Sequence, residues 1–437
     1  MRVSVPTLTA FLLCAAVLAV YGLMALYHPV AYIWATYEDL YGEWAQTYFF
    51  VLAALFSGAI AARGSWYRWF FLALAIACFY VVMEEISWGQ RIFGFDTPDF
   101  LKRHNLQHET NIHNLFTGPV NTWTKRMLEY LLAAGFVGYG LVYPLAVKWR
   151  GNRRLVAWLS RWLPVPPLYL WPFFVVAAVL ELGYLNFNEA EIAEILIGAA
   201  VAMLCAYHWL MLRRGFDVLD STASPGAAGR GLPGLFLAVF VIVGLLSVAT
   251  TQGLYRNPVN QAETDDRLLN GYEKFADRYA RYARWQQAAD LYLRVHRAEP
   301  ARTSIMRRLA DIYRKNGDIA GFNRYNQMSL DTLLAIQAEN PTKVSTNLAL
   351  YFTYRQRGIA AKAIEHLRRA HELAKQRYAA DPDRANNAYW LAKTYKESGD
   401  GDNALRYYRR AFEIEPSSKK YRKAYLAMKA YASDDDE

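Results

Sequence analysis

Two short stretches of this 437-residue chain concentrate groups able to do chemistry. The first is Met83-Glu84-Glu85-Ile86-Ser87-Trp88-Gly89-Gln90-Arg91. The second is His104-Asn105-Leu106-Gln107-His108-Glu109-Thr110-Asn111-Ile112-His113-Asn114, which holds three of the eight histidines. If the second stretch is helical, His104 and His108 share a face, as do Glu109 and His113. Two imidazoles with a carboxylate suit zinc or another divalent metal such as iron or manganese. The expected ligands are His104, His108, His113 and Glu85. A metal there would lower the pKa of a bound water, with Glu84, Glu85 and Glu109 as the catalytic carboxylates. Gln90, Arg91, Asn105, Gln107 and Asn114, with Glu181 and Glu194, are the candidates for contact with a substrate or lipid headgroup. The same residues also have a structural reading: Glu84 and Glu85 paired to Arg91 or Arg103, and the histidines in an interfacial loop without metal.

Adjacent carboxylates at the end of an apolar run are costly in a membrane unless partnered, so the surrounding elements matter. Seven runs are candidates for spans, at roughly 6–27, 46–62, 68–85, 127–147, 167–186, 192–212 and 233–253. The first is read as a retained anchor, because its apolar stretch is long and no small-residue cleavage pattern follows it. With the N-terminus inside, Lys148, Arg150, Arg153, Arg154 and Arg161 fall on the cytoplasmic side, as do Arg213, Arg214 and Arg230. The loop 28–45 then lies outside and carries Glu38, Asp39 and Glu43 but no Lys or Arg. The loop between spans three and four departs from this bias with Arg91, Lys102, Arg103, Lys125 and Arg126. His208 is expected at the inner interface. Seven crossings place the C-terminus outside, which in a bacterium is the periplasm.

The formal net charge of +10 is no sign of nucleic acid, since its basic residues flank apolar runs or spread over solvated helix faces. Cys14, Cys78 and Cys205 all lie in apolar runs, which excludes a disulfide framework or a cysteine zinc site. A phosphate-binding Gly-rich loop, a Gly-x-Ser-x-Gly elbow and a His-Glu-x-x-His helix are absent from the sequence.

From about 269 the composition changes to a helical repeat. Its last copy carries Ala388, Leu391, Ala392, Tyr395, Gly399, Ala404, Tyr408, Ala411 and Pro416. Its first carries Tyr272, Phe275, Ala276, Tyr279, Ala288, Tyr292 and Pro300. Two middle copies carry Leu309, Ala310, Tyr313 and Gly317, then Leu350, Tyr354, Gly358, Ala363, Leu367 and Ala370. Both are stretched in their second helix and end at Pro341 and at Asp381-Pro382. These positions resemble the 34-residue tetratricopeptide repeat. The resemblance covers about 150 residues and implies a superhelix whose concave groove binds a protein or peptide. The Glu-Glu-x-Ser-Trp-Gly-Gln-Arg stretch and the later histidine stretch resemble uncharacterised bacterial polytopic membrane proteins and imply no activity. Seven spans also invite comparison with the alkaline ceramidase and progestin-receptor-like hydrolases, which place a histidine pair on the last span. Pro233 to Gly253 here has no His, Asp or Glu.

The expectation is therefore all-α: a seven-helix transmembrane bundle followed by a tetratricopeptide-type α-solenoid. The domains are 1–255 in the membrane, a linker 256–268, the repeats over 269–432 with a capping helix, and an acidic tail 433–437. The expected role is a scaffold or assembly factor of the bacterial cell envelope or export machinery, bound to a protein or peptide partner and to membrane lipid. The alternative is a metal-dependent hydrolase or transferase acting on a lipid or lipid-linked substrate with the Glu/His cluster.

Overall fold

The computed structural model describes residues 4–64, 66–90, 95–104, 110, 123–150, 154–215 and 231–434. They are helical, with no strand among them. The chain forms two compact units, Met1–Gly271 and Tyr272–Glu437.

In the first unit the helices are α1 (Val5–Tyr27), α2 (Pro29–Thr36), α3 (Tyr41–Ala62), α4 (Arg68–Glu85) and α5 (Asp99–His104). Then follow α6 (Trp123–Val137), α7 (Tyr143–Arg150), α8 (Arg154–Trp162), α9 (Trp171–Glu181), α10 (Glu189–Arg213) and α11 (Gly231–Tyr255). Helix α10 is the buried centre, packed against α3 and α9, with Leu196, Ala199, Ala200 and Met203 inaccessible. Gly198 lets it approach α3: a Cβ there would meet the Cβ of Phe49 at 3.2 Å. Gly42 is required for the sharp turn from α2 into α3, since a Cβ there would collide with the Ala35 carbonyl oxygen.

Five stretches among the described residues, not seven, are long and apolar enough to cross a membrane: Val5–Tyr27, Pro29–Ala62, Arg126–Trp149, Glu189–Arg213 and Gly231–Tyr255. The expected span at 68–85 coincides with α4, but its 18 residues include Arg68, Glu84 and Glu85. The span expected at 167–186 is the shorter apolar helix Leu168–Glu181, which rises only about 21 Å at 1.5 Å per residue. A hydrocarbon core is about 30 Å thick. His208 is buried, packed edge-on between Phe71 and Tyr207.

Helix α12 (Pro258–Arg281) begins inside the segment expected as a linker. Its first half is fastened to the first unit: Arg267 pairs with Asp39, Asp265 accepts a hydrogen bond from Tyr255 at 2.8 Å, and Gly271 packs on the Tyr37 ring.

The second unit continues with α13 (Trp285–Ala298), α14 (Thr303–Lys315), α15 (Ile319–Glu339) and α16 (Val344–Gln356), then α17 (Ala360–Ala380), α18 (Ala385–Glu397), α19 (Gly401–Ile414) and α20 (Lys419–Asp434). From α13 on, each helix packs on the next, and α14, α16 and α18 also touch in series. Gly317, Gly358 and Gly399 end α14, α16 and α18 in the left-handed region, where a side chain is disfavoured. Asp318 and Asp400 then cap the following helices by accepting from the Gly321 and Asn403 amides. Helices α15 and α17 have 21 residues against 14 in α13 and α19. The two stretched copies thus carry seven extra residues each, close to two turns of 3.6, so the buried face is kept.

One consequence is a strict 41-residue period in the middle of the unit. Tyr313, Tyr354 and Tyr395 recur at that spacing, as do Tyr325, His366 and Tyr407. Each pair stacks with its rings 5.4–5.5 Å apart and within 6° of parallel. Leu350 is fully buried with Leu330, Leu333 and Tyr354. Its truncation to Ala in the fragment 258–437 should lower unfolding free energy by about 2–5 kcal/mol in urea titrations. Burial holds His296, His366 and His371 below the ordinary histidine value. The folded state therefore favours their neutral form, while below about pH 6.5 the unfolded chain takes up protons. Stability of the fragment is expected to be full near pH 7.5 and to fall toward pH 5, which unfolding curves at the two pH values would measure.

Candidate functional site

Of the residues singled out in sequence, Glu84, Glu85, Gln90, Glu181 and Glu194 lie in described structure. His104 ends α5, and its side chain is not described. Arg91, Asn105, Gln107, His108, Glu109, His113 and Asn114 lie outside the described residues.

The structure brings Glu85 and Glu194 together, and adds Glu43 and Glu191. Glu85 ends α4, while Glu43 is in the first turn of α3 and Glu191 in that of α10. Glu85 lies in the electrostatic field of Glu43, Glu194 and Glu84, and Glu191 in that of Glu194, Glu43 and Glu85. Helix N-termini favour Glu43 and Glu191, whereas the C-terminus of α4 disfavours Glu85. Gln46, one turn along α3 from Glu43, donates Nε2 to Glu85 Oε1 at 3.2 Å, and its own Oε1 is buried without a partner. Such a set of acids in one half-buried place favours a proton or a cation among its members. Among the described residues no three of His, Cys, Asp or Glu converge as ligands for a metal ion.

Glu84 is buried and accepts a hydrogen bond from Trp88 Nε1 at 2.7 Å. That contact depends on a turn in which Ser87, Trp88 and Gly89 all have positive φ, an arrangement that costs about 1–3 kcal/mol per non-glycine residue. Gln90, expected to meet a ligand, instead holds the chain around it. Its Nε2 donates to Thr97 Oγ1 at 2.8 Å and its Oε1 accepts from the Thr110 amide at 2.9 Å. Glu181 is the last residue of α9. Glu189 is likewise a local clamp, accepting from the amides of Leu185, Asn186 and Phe187.

A second locus lies in the repeat unit. Thr303 and Arg307 of α14, Leu333 and Ile336 of α15, Lys343, Ser345, Thr346, Leu348, Ala349 and Phe352 at and along α16, and Trp390 and Lys393 of α18 line a groove of about 270 Å³. Arg307 lies over the Phe352 ring at 5.5 Å, and Lys393 over Trp390 at 5.3 Å. The Arg307 Nε is buried without a hydrogen-bond partner. Burial, and next the Arg308 charge, pushes Arg307 down to about 10. Lys393 is also lowered, by burial first and then by Arg307. No carboxylate lines this groove among the described residues. Sequence reading missed these residues. Aligned at the 41-residue period, Ala349 falls on Trp390 and Phe352 on Lys393, so one helix face keeps its place while its chemistry changes.

No family model matches the chain, and no curated protein matches its sequence. Among solved structures it is similar to the crystal structure of the MamA protein, at 18% identity over 37% of this chain and 80% of that one, with a TM-score of 0.17. A MamA mutant is 22% identical over 39% of this chain and 90% of its own, with a TM-score of 0.18.

Replacing Trp88 with Phe keeps a ring but takes one donor from the buried Glu84 carboxylate. It should destabilise the detergent-solubilised protein by about 1.5–3 kcal/mol, read as a lower melting temperature. Gln46→Leu should by contrast have a smaller effect, because it removes the bare Oε1 together with the bond to Glu85.

Proposed function

We propose that this chain is a multi-pass protein of the bacterial inner membrane whose C-terminal repeat unit binds a protein partner in the periplasm, as a scaffold or assembly factor of the envelope or export machinery. One observation carries the reading: three alternate helices of a tandem repeat, α14, α16 and α18, all contribute to a single groove with aromatic and cationic walls. A surface assembled from successive repeats suits an extended polypeptide. The membrane part of the proposal is supported by the five apolar stretches. The sidedness rests on the Lys and Arg of the predicted inner loops, and both five and seven crossings are odd.

The clustered acids favour one second reading, a metal-dependent hydrolase or transferase acting on a lipid or lipid-linked substrate. It requires His108 and His113 to join Glu85. Metal analysis of the purified protein separates the two, since only the second reading expects a stoichiometric divalent ion lost in His113→Ala.

Benzoylphenylalanine in place of Phe352 tests the first reading in living cells. Ultraviolet light should yield a discrete protein adduct, and the same probe at Arg368 on the exposed face of α17 should not. Equal adducts at both positions, or lipid adducts alone, would contradict it.

A further inference from the structure

We propose that the groove between α14, α16 and α18 selects an acidic segment of its partner, with carboxylates on Arg307, Lys343 and Lys393 and an apolar side chain against Phe352 and Trp390. This rests on the protein-binding reading and adds the chemistry of the bound segment.

Several other cations of the unit are neutralised by neighbouring acids. Arg302 and Arg308 are paired with Glu273, Arg314 and Lys315 with Asp311, and Arg410 with Asp383. The groove differs from these places: it gathers three cations and no acid among the described residues, and leaves the Arg307 Nε buried with an empty donor. Arg307 and Lys393 come from different repeats yet line one groove, and the Arg307 charge makes that of Lys393 harder to hold. The acid acting on Lys393 is Glu397, which is shared with Arg355 at 3.8 Å. An incoming carboxylate would relieve the repulsion and satisfy the bare donor together, and a planar guanidinium is well matched to it.

The apolar side of the groove decides between kinds of anion. Leu333, Phe352 and Trp390 would gain nothing from free phosphate, whereas a peptide alternating acidic and apolar side chains uses both surfaces. The volume, about 270 Å³, is at the small end for ligand sites and fits side chains better than a lipid tail.

The test uses the full chain in nanodiscs of neutral lipid and a fluorescein-labelled peptide, Asp-Glu-Phe-Asp-Glu-Phe-Asp-Glu. Its controls carry Asn and Gln, or Lys and Arg, at the acidic positions. Anisotropy should report binding of the acidic peptide alone, weakened about tenfold or more by raising salt from 50 to 500 mM. Lys393→Gln and Arg307→Gln should each weaken it about fivefold or more. Lys343→Gln, at an exposed position that no core packing depends on, should weaken it without altering the melting curve. Lys393→Glu with Arg307→Glu should transfer preference to the basic peptide. If the neutral peptide binds as well as the acidic one and still needs Phe352, the charge assignment is overturned while the protein-binding reading stands. If no peptide binds, or only phosphatidylglycerol vesicles or inorganic phosphate compete for the groove, both are overturned.

Discussion

Alanines occupy the lines along which the paired helices of the C-terminal unit meet. Ala288, Ala310, Ala363, Ala370, Ala388, Ala392, Ala404 and Ala411 are all at most 4% exposed. A larger side chain at any of them would push two helices apart, and overpacking in such a seam costs about 1–3 kcal/mol. Close approach there is what allows Tyr313, Tyr354 and Tyr395 to stack on their partners in the next helix at one fixed distance. Each pair so fixed stacks on the next, with α14, α16 and α18 touching in series, and the groove exists because those three helices present neighbouring faces. Change the seam and the cations of the groove no longer share a space.

The first unit obeys a different constraint. Its long helices are apolar around much of their circumference, with Leu12, Leu55, Ile76 and Leu245 well exposed, as suits helices bathed in lipid. Polar groups are confined to a few places, and the acids of α3, α4 and α10 meet at one of them. Glu189 shows that not every buried acid implies chemistry: three backbone amides account for it. Gln46, with one amide end on Glu85 and the other bare, is the member of the cluster that its neighbours do not account for.

Much of this was legible in the sequence, for identifiable reasons. Apolar runs and repeat positions are local signals, so the helical class, the Gly317, Gly358 and Gly399 turns and the stretched middle copies could be read directly. The count of membrane stretches was not, because α4 carries Arg68 and two glutamates and α9 is short, and hydropathy alone treated both as full spans. The segment 256–268 looked like a linker from its polar residues and Asn257-Pro258, yet Pro is well suited to a helix N-terminus and the helix starts there. The acid cluster was half visible: Glu85 and Glu194 could be nominated, but Glu43 sits 42 residues before Glu85 and joins it only through tertiary packing. Arg307 and Lys393 were invisible, since nothing local distinguishes them from the solvated basic residues around them.

The account stands on the groove facing away from the cytoplasm. Cys14, Cys78 and Cys205 are all buried, so a cysteine introduced at the exposed Arg409 would be the reactive thiol of the chain. Labelling intact cells, with only the outer membrane opened, by a membrane-impermeant maleimide measures which side that residue occupies. The account predicts full labelling before the inner membrane is breached. Labelling that appears only after the inner membrane is broken would contradict it.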